Sequence, residues 1–166
     1  MRLFLTVLLA SLLAVGTAEA KAPRTFGATV TSVVDGDTVW VRPSWGAEAI
    51  EIRLQGIDAP ETCQAWGRQA KDALRQHLLW KTVTVQAIGR DTYGRHLARL
   101  ARDGEDVGGW LVFNGLAWAG RWRGRAGPYA DLQAQAVQAR RGLWSQPALE
   151  PRRFRREHGA CPHRPR

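Results

Sequence analysis

Five stretches of the chain alternate apolar and polar residues at a period of two, which is the pattern of half-buried β-strands. The predicted strands are Phe26 to Val34, Val39 to Arg42, Ala49 to Leu54, Thr82 to Ala87 and Leu97 to Ala101. Tight turns separate the first three of them, so these strands are expected to form an antiparallel meander.

Apolar residues that recur every three or four positions predict helices between and after the strands. The predicted helices are about Arg68 to Trp80, a short one that starts in the loop Asp103 to Asp106 and runs through Asn114, and about Tyr129 to Arg141. His77 lies on the apolar face of the first helix, and we interpret it as a packing residue. Strands and helices in this order favour an α+β, mainly β fold: a five-stranded Greek-key barrel, the OB-fold, with about three packed helices.

The start of the chain has the composition of a secretory signal peptide. Residues 1–20 contain Arg2, an apolar run from Leu3 to Val15, and the small-residue pattern Ala18-Glu19-Ala20. The alternative is an uncleaved anchor. We therefore expect a domain at 21–146 that is secreted or periplasmic, with no membrane contact after signal cleavage.

The end of the chain, 147–166, is rich in arginine and proline and poor in apolar residues, which predicts a disordered basic tail. Such a tail either attracts phosphate backbones without regard to sequence or is a dispensable solvated end. The whole chain has 24 Lys and Arg against 15 Asp and Glu, a formal net charge of +9. This charge implies an anionic partner, either nucleic acid or an acidic cell surface.

Only two cysteines are present, Cys63 and Cys161. In an oxidising compartment they could form one disulfide that ties the tail to the turn after Glu61. Two free thiols are the alternative, and the sequence does not choose between them. A metal site built on these cysteines is disfavoured because no histidine lies at a ligand-like spacing.

Carboxylates and arginines concentrate in three turns beside predicted strands. The turns are Asp35-Gly36-Asp37-Thr38, Arg53-Leu54-Gln55-Gly56-Ile57-Asp58-Ala59-Pro60-Glu61-Thr62 and Asp91-Thr92-Tyr93-Gly94-Arg95. Carboxylate oxygens suit a hard metal ion, and the planar fork of an arginine suits a phosphate. Each turn alone is a weak signal, since an Asp-Gly turn is more often a hairpin connection.

Taken in this order, the three turns resemble the staphylococcal nuclease (thermonuclease) family, and the resemblance runs from about Thr29 to Ser145. It implies a calcium-dependent nuclease that hydrolyses phosphodiester bonds of DNA and/or RNA with little sequence specificity. It implies that Asp37, Asp58 and the backbone carbonyl of Ala59 ligate Ca²⁺.

The same resemblance implies the remaining roles at the site. Asp35 would be a carboxylate in the outer coordination shell of the metal. Arg53, Glu61 and Arg95 would be catalytic residues that act on the phosphate and the water. Glu61 could orient or deprotonate the attacking water, and its role as general base stays open. Ala59 stands where the type member has threonine, a change that keeps a main-chain carbonyl ligand.

The substrate is expected to be single-stranded or locally opened DNA or RNA, cut by a monomer. The aromatic and cationic stretch Arg121-Trp122-Arg123 with Arg125 is suited to base stacking on such a strand. Two alternatives from other classes are a noncatalytic OB-fold nucleic-acid-binding protein and an exported adhesion protein held to an acidic surface. Neither alternative requires the carboxylates and arginines of the three turns.

Overall fold

The computed structural model of the protein describes residues 25–122, 124–159 and 161. The predicted signal peptide lies outside the described residues, as do Arg123 of the predicted stacking stretch and positions 162–166 of the tail. In the part of the chain that is described, none of the helices has the length and apolar character needed to cross a membrane.

Ten strands occur within the described residues. They are β1 (Thr25–Val33), β2 (Thr38–Pro43), β3 (Ile50–Leu54), β4 (Ile57–Asp58), β5 (Thr82–Arg90), β6 (His96–Arg102), β7 (Glu105–Asp106), β8 (Trp118–Ala119), β9 (Arg121–Trp122) and β10 (Arg125–Ala126). The long strands β1, β2, β3, β5 and β6 correspond to the five predicted ones. The largest difference is at β5, which continues to Arg90 instead of ending at Ala87.

Four α-helices and one short 3₁₀ helix accompany the strands in the described residues. They are α1 (Gly67–Leu78), α2 (Val107–Phe113), α3 (Ala130–Gln138), the 3₁₀ helix Gly142–Ser145, and α4 (Pro151–His158). The first three correspond to the predicted helices. As expected, His77 packs in α1, where its ring stacks on Trp110 with centroids 4.1 Å apart.

The long strands close into a barrel. Their order is β3-β2-β1-β5-β6, and an additional parallel pairing of β3 with β6 joins the two ends. In that pairing Arg53 lies opposite Leu97, whereas the β1–β2, β2–β3, β1–β5 and β5–β6 pairs are antiparallel. This mixed five-stranded barrel confirms the predicted OB-fold of the α+β class.

The core fills the barrel and continues under the helices. Val30, Ile52 and Leu100 point inward from alternate positions of their strands and are at most 1% exposed. Leu74 of α1 and Leu111 of α2 belong to the same buried cluster. Burying a side chain of this size contributes roughly 1.5–3 kcal/mol to stability, so the barrel is a rigid support for the turns at its rim.

The expectation of a disordered tail is wrong for the segment that forms α4. This helix starts with the buried Pro151, a residue suited to the first helical position because it needs no backbone N–H there. An ion pair of 2.7 Å between Arg153 and Glu157 and stacking of Phe154 on His158 stabilise it locally. Composition suggested disorder because it does not reveal the long-range contacts that hold this segment.

Candidate active site

The turn between β1 and β2 brings two carboxylates to the barrel rim. Asp35 accepts a hydrogen bond of 3.0 Å from the backbone N–H of Asp37, which fixes the turn from within. Gly36 allows close approach to the neighbouring elements. A Cβ at this position would lie 2.7 Å from the Cβ of Ala59 and 2.9 Å from that of Ala70. The absence of a side chain at Gly36 therefore places Asp37 against the turn that follows β3.

Asp37 is a buried carboxylate with several hydrogen-bond donors. It is 2% exposed, its Oδ2 accepts from the backbone N–H of Ala59 at 2.8 Å, and its Oδ1 accepts from the hydroxyl of Thr38 at 3.1 Å. Arg53 Nη1 also donates to Oδ1. Burial, opposed by the attraction of Arg53 and reinforced by the negative charge of Asp35, raises the pKa of Asp37 to about 7.

Arg53 lies between the two carboxylates that sequence analysis assigned to the metal. It projects from β3, where the strand register pairs it with Thr38 of β2. Its Nη1 donates to Asp37, and its Nη2 donates to Asp58 Oδ1 at 2.9 Å. Burial lowers the pKa of Arg53, but the negative charges of Asp37 and Asp58 outweigh burial and raise it overall. Arg53 thus remains a cation at the centre of the site.

Asp58 and Glu61 share a second arginine that sequence analysis did not identify as a site residue. Arg155 of α4 donates from Nη2 to Asp58 Oδ2 at 2.9 Å, and from Nη1 to Glu61 Oε1 at 2.8 Å. Its Nη1 also lies 3.2 Å from Asp58 Oδ1. Its side chain is 35% exposed, against 18% for Asp58 and 22% for Glu61, so it is the most solvent-accessible of the three. The sequence signal for this contact was the possible Cys63–Cys161 disulfide, which would tie the tail to the turn after Glu61, but the sequence alone left that pairing open.

Two links hold α4 beside the turn that carries Glu61. Cys63 and Cys161, which are 98 residues apart in sequence, form a disulfide, so the first of the two interpretations of these cysteines is the observed one. In addition, Gln64 donates from its side-chain amide to the backbone carbonyl of Leu149 at 2.6 Å. These links start two and three residues after Glu61, and they explain how a distant helix reaches the site.

Arg95 directly precedes β6, the strand that pairs with β3, but its guanidinium bonds within its own turn. Its Nε donates to Asp91 Oδ2 at 2.7 Å, and its Cζ lies 5.5 Å from the centre of the Tyr93 ring. Within the described residues, no ion pair joins Arg95 to the carboxylates around Arg53. The structure therefore brings together the predicted site residues of the first two turns and leaves the side chain of Arg95 apart from them.

The chemistry of these groups fits a hard cation. Asp37, Asp58 and Glu61 contact the guanidinium groups of Arg53 and Arg155, and Asp35 lies beside Asp37, so carboxylates outnumber guanidinium groups at the site. Across 25–122, 124–159 and 161, no group of three or more His, Cys, Asp or Glu side chains is arranged to hold a metal ion by itself. A metal here would depend on Asp37 and Asp58, a backbone carbonyl such as that of Ala59, and water, which is an oxygen-only set of the kind that Ca²⁺ prefers.

Comparisons with known proteins agree with the fold and identify the family of the chain. The model of a family described as staphylococcal nuclease homologue matches residues 51–146, which include Arg53, Asp58 and Glu61 but not Arg155. An uncharacterized endonuclease of Escherichia coli O157:H7 is 42% identical over 117 residues, which are 70% of this chain and 75% of that protein. A micrococcal nuclease of Shigella flexneri is 34% identical over 143 residues, 79% of this chain and 81% of that protein. The chain is therefore a member of the staphylococcal nuclease family.

Proposed function

We propose that this protein is a calcium-dependent hydrolase that cleaves phosphodiester bonds of DNA, RNA or both, with little sequence specificity. The observation that carries the proposal is the cluster in which Arg53 bridges Asp37 and Asp58, with Glu61 beside it. Cleaving a phosphodiester requires neutralised phosphate charge and a positioned water, and this cluster contains groups suited to both tasks.

Asp37, Asp58 and the backbone carbonyl of Ala59 would hold the calcium ion, and Asp35 would stay in its outer shell. When bound, the ion supplies positive charge that stabilises negative charge on a nonbridging phosphate oxygen. The hydrogen bond from the N–H of Ala59 to Asp37 keeps this part of the backbone beside the buried carboxylate. A main-chain ligand at this position does not depend on the side chain, which is why alanine is acceptable there.

Arg53 would donate hydrogen bonds to the substrate phosphate. Its guanidinium is already oriented by two carboxylates, so little reorganisation is needed when negative charge develops on the phosphate. Arg95 would be the second phosphate ligand from the three turns. Since its Nε is bonded to Asp91 in the structure, it would exchange that carboxylate for a phosphate when substrate binds.

Glu61 would act on the water. Its carboxylate is 22% exposed and lies one short turn after Asp58, so water can reach it next to the proposed metal ligands. It would orient the water, and it could also accept the proton that the water loses on attack.

The substrate is proposed to be single-stranded or locally opened nucleic acid, and the protein is proposed to act as a secreted or periplasmic monomer. The net charge of +9 supports an anionic polymer as substrate, because basic surfaces attract phosphate backbones. Arg121 and Arg125 are exposed cations on the paired short strands β9 and β10, and they could contact the phosphates of such a nucleic-acid strand.

The test is cleavage of supercoiled plasmid DNA and of a single-stranded RNA by the purified protein. The reactions contain Ca²⁺, a chelator, or chelator followed by excess Ca²⁺. We expect cleavage with Ca²⁺, its loss with chelator, and recovery after calcium is added back. Asp58→Asn should be inactive, whereas Asp131→Asn, which changes an exposed carboxylate on α3, should cleave normally. A protein that retards the nucleic acid in a gel under all conditions without cutting it is a noncatalytic binder.

A further inference from the structure

Arg155 differs from the other described arginines of the C-terminal segment because it contacts the site itself. Arg153 pairs with Glu157 on the same helix, and Arg152 is exposed and forms no ion pair with any described residue. Arg155 instead makes hydrogen bonds to both Asp58 and Glu61. We propose that Arg155 is a further active-site residue, which occupies Asp58 in the metal-free protein and binds the substrate phosphate once a cation has taken its place. This proposal rests on the proposed nuclease function.

The first step is competition for Asp58. Oδ1 of this carboxylate accepts from Arg53 and Arg155, and Oδ2 accepts from Arg155. A cation that binds Asp58 therefore competes with these guanidinium groups for the carboxylate oxygens and repels their positive charge. Arg155 is the easier one to displace, because its side chain is 35% exposed against 19% for Arg53. Arg53 is also bonded to the buried Asp37, whereas the second partner of Arg155 is the partly exposed Glu61.

The second step is that Arg155 stays close after it leaves Asp58. The backbone of α4 is fixed beside the site by the Cys63–Cys161 disulfide and by the bond from Gln64 to Leu149. Only the side chain needs to move, and an arginine side chain has four rotatable bonds before its planar group. After leaving Asp58 the guanidinium keeps its bond to Glu61, and the N–H groups released from Asp58 are free to donate to a substrate phosphate, whose oxygens match the planar fork.

The experiment compares the wild type with Arg155→Ala, Arg155→Lys and Arg152→Ala. Calcium affinity is first measured by titration calorimetry without nucleic acid. Arg155→Ala should bind Ca²⁺ roughly tenfold more tightly, because the competing guanidinium is gone. Arg155→Lys should fall between the two, since an ammonium competes as a single charge without the fork. Arg152→Ala controls for the loss of one positive charge from α4, and its calcium affinity should match that of the wild type.

Cleavage of single-stranded DNA is then measured at saturating Ca²⁺. Arg155→Ala should lower kcat/KM by roughly ten- to a hundredfold, and Arg155→Lys should restore part of the loss. Arg152→Ala should give only a small rise in KM that disappears as salt is increased. Far-UV circular dichroism and a count of free thiols establish that each variant keeps its fold and its disulfide.

Three results would overturn the proposal. Arg155→Ala could match Arg152→Ala in both calcium affinity and kcat/KM, in which case the contact is structural only. It could cleave faster than the wild type at saturating Ca²⁺, in which case Arg155 blocks the site. It could leave calcium affinity unchanged, which removes the competition step. A wild-type protein that cleaves nothing overturns the proposed function as well, and that outcome is distinct because it does not depend on Arg155.

Discussion

The carboxylate of Asp37 accepts a hydrogen bond of 2.8 Å from the backbone N–H of Ala59, 22 residues further along the chain. This bond connects the turn between β1 and β2 to the turn after β3. Asp37 and Asp58 belong to these two turns, and Arg53 bridges their side chains. The relative position of the two proposed metal ligands is therefore set by backbone as well as by side chains.

Asp37→Asn and Asp58→Asn should each abolish calcium-dependent cleavage, because calcium affinity depends on the number of charged ligands. Asp37→Asn should also lower stability, since both carboxylate oxygens of Asp37 face donors and the amide group of asparagine would place a further donor against one of them. Cleavage is measured over a range of calcium concentrations, with thermal unfolding in parallel and Asp131→Asn as the control. Full activity of either variant at limiting calcium would refute its assignment as a metal ligand.

Gly36→Ala should lower both stability and activity. The added Cβ would meet the Cβ atoms of Ala59 and Ala70 at less than 3.0 Å, so the turn that carries Asp37 must shift. Overpacking of this kind costs roughly 1–3 kcal/mol. Gly89→Ala is the matched control, because a Cβ there has no neighbour within 4 Å among the described residues. Denaturant unfolding and cleavage rate are the measurements, and equal results for the two variants would contradict the close approach at Gly36.

Loss of the Cys63–Cys161 disulfide should destabilise the protein by about 2–5 kcal/mol, because the bond closes a long loop. Cys63→Ser/Cys161→Ser should unfold at a lower denaturant concentration than the wild type under oxidising conditions. Under reducing conditions the difference should largely disappear. Mass spectrometry after alkylation should find two modified thiols only when reductant is added first. Two alkylated thiols in the protein purified without reductant from its native compartment would contradict the claim that a disulfide holds α4 beside the site.

His77 should make the stability of the protein sensitive to mild acid. Burial, with a contribution from the positive charge of Arg102, lowers the pKa of His77 in the folded state. As pH falls below the ordinary histidine pKa of about 6.5, the unfolded chain takes up a proton that the folded protein resists, so stability decreases. His77→Leu should therefore lose less stability than the wild type between neutral and mildly acidic pH. Denaturant unfolding at several pH values checks this, and an equal loss in both proteins would argue against it.

The barrel and the first two turns were predictable because their signals are local. Alternation at period two marked strands such as β3, and the turn residues Gly36 and Pro60 placed the carboxylates at strand ends. Burial of one face then fixes which side chains point into the barrel. In these two turns the turn-forming residue and the carboxylates lie within a few positions of each other, so the local sequence is enough to predict where the carboxylates are placed.

The contacts of Arg95 and Arg155 were not named from the sequence, for two different reasons. Arg95 pairs with Asp91 of its own turn, a partner that sequence analysis did not name, and its role at the phosphate stays a prediction. Arg155 was expected to add only diffuse attraction as part of a disordered tail, and it reaches Asp58 across 97 residues. That contact is supported by the disulfide, which the sequence offered only as one of two alternatives, and by the packing of α4, which composition does not reveal. Deleting residues 151–166 would therefore remove an active-site contact and a crosslink together.

The most direct test of the central claim is the effect of Arg53→Ala and Arg53→Lys on kcat and KM with single-stranded DNA at saturating Ca²⁺. Arg53 is proposed to act mainly when charge develops on the phosphate, so kcat should fall by several orders of magnitude while KM changes little. Arg53→Lys keeps the charge beside Asp37 and serves as the folding control, yet it lacks the fork and should also be slow. Variants that turn over normally when saturated and differ only in KM would contradict the account, because Arg53 would then be part of a binding surface.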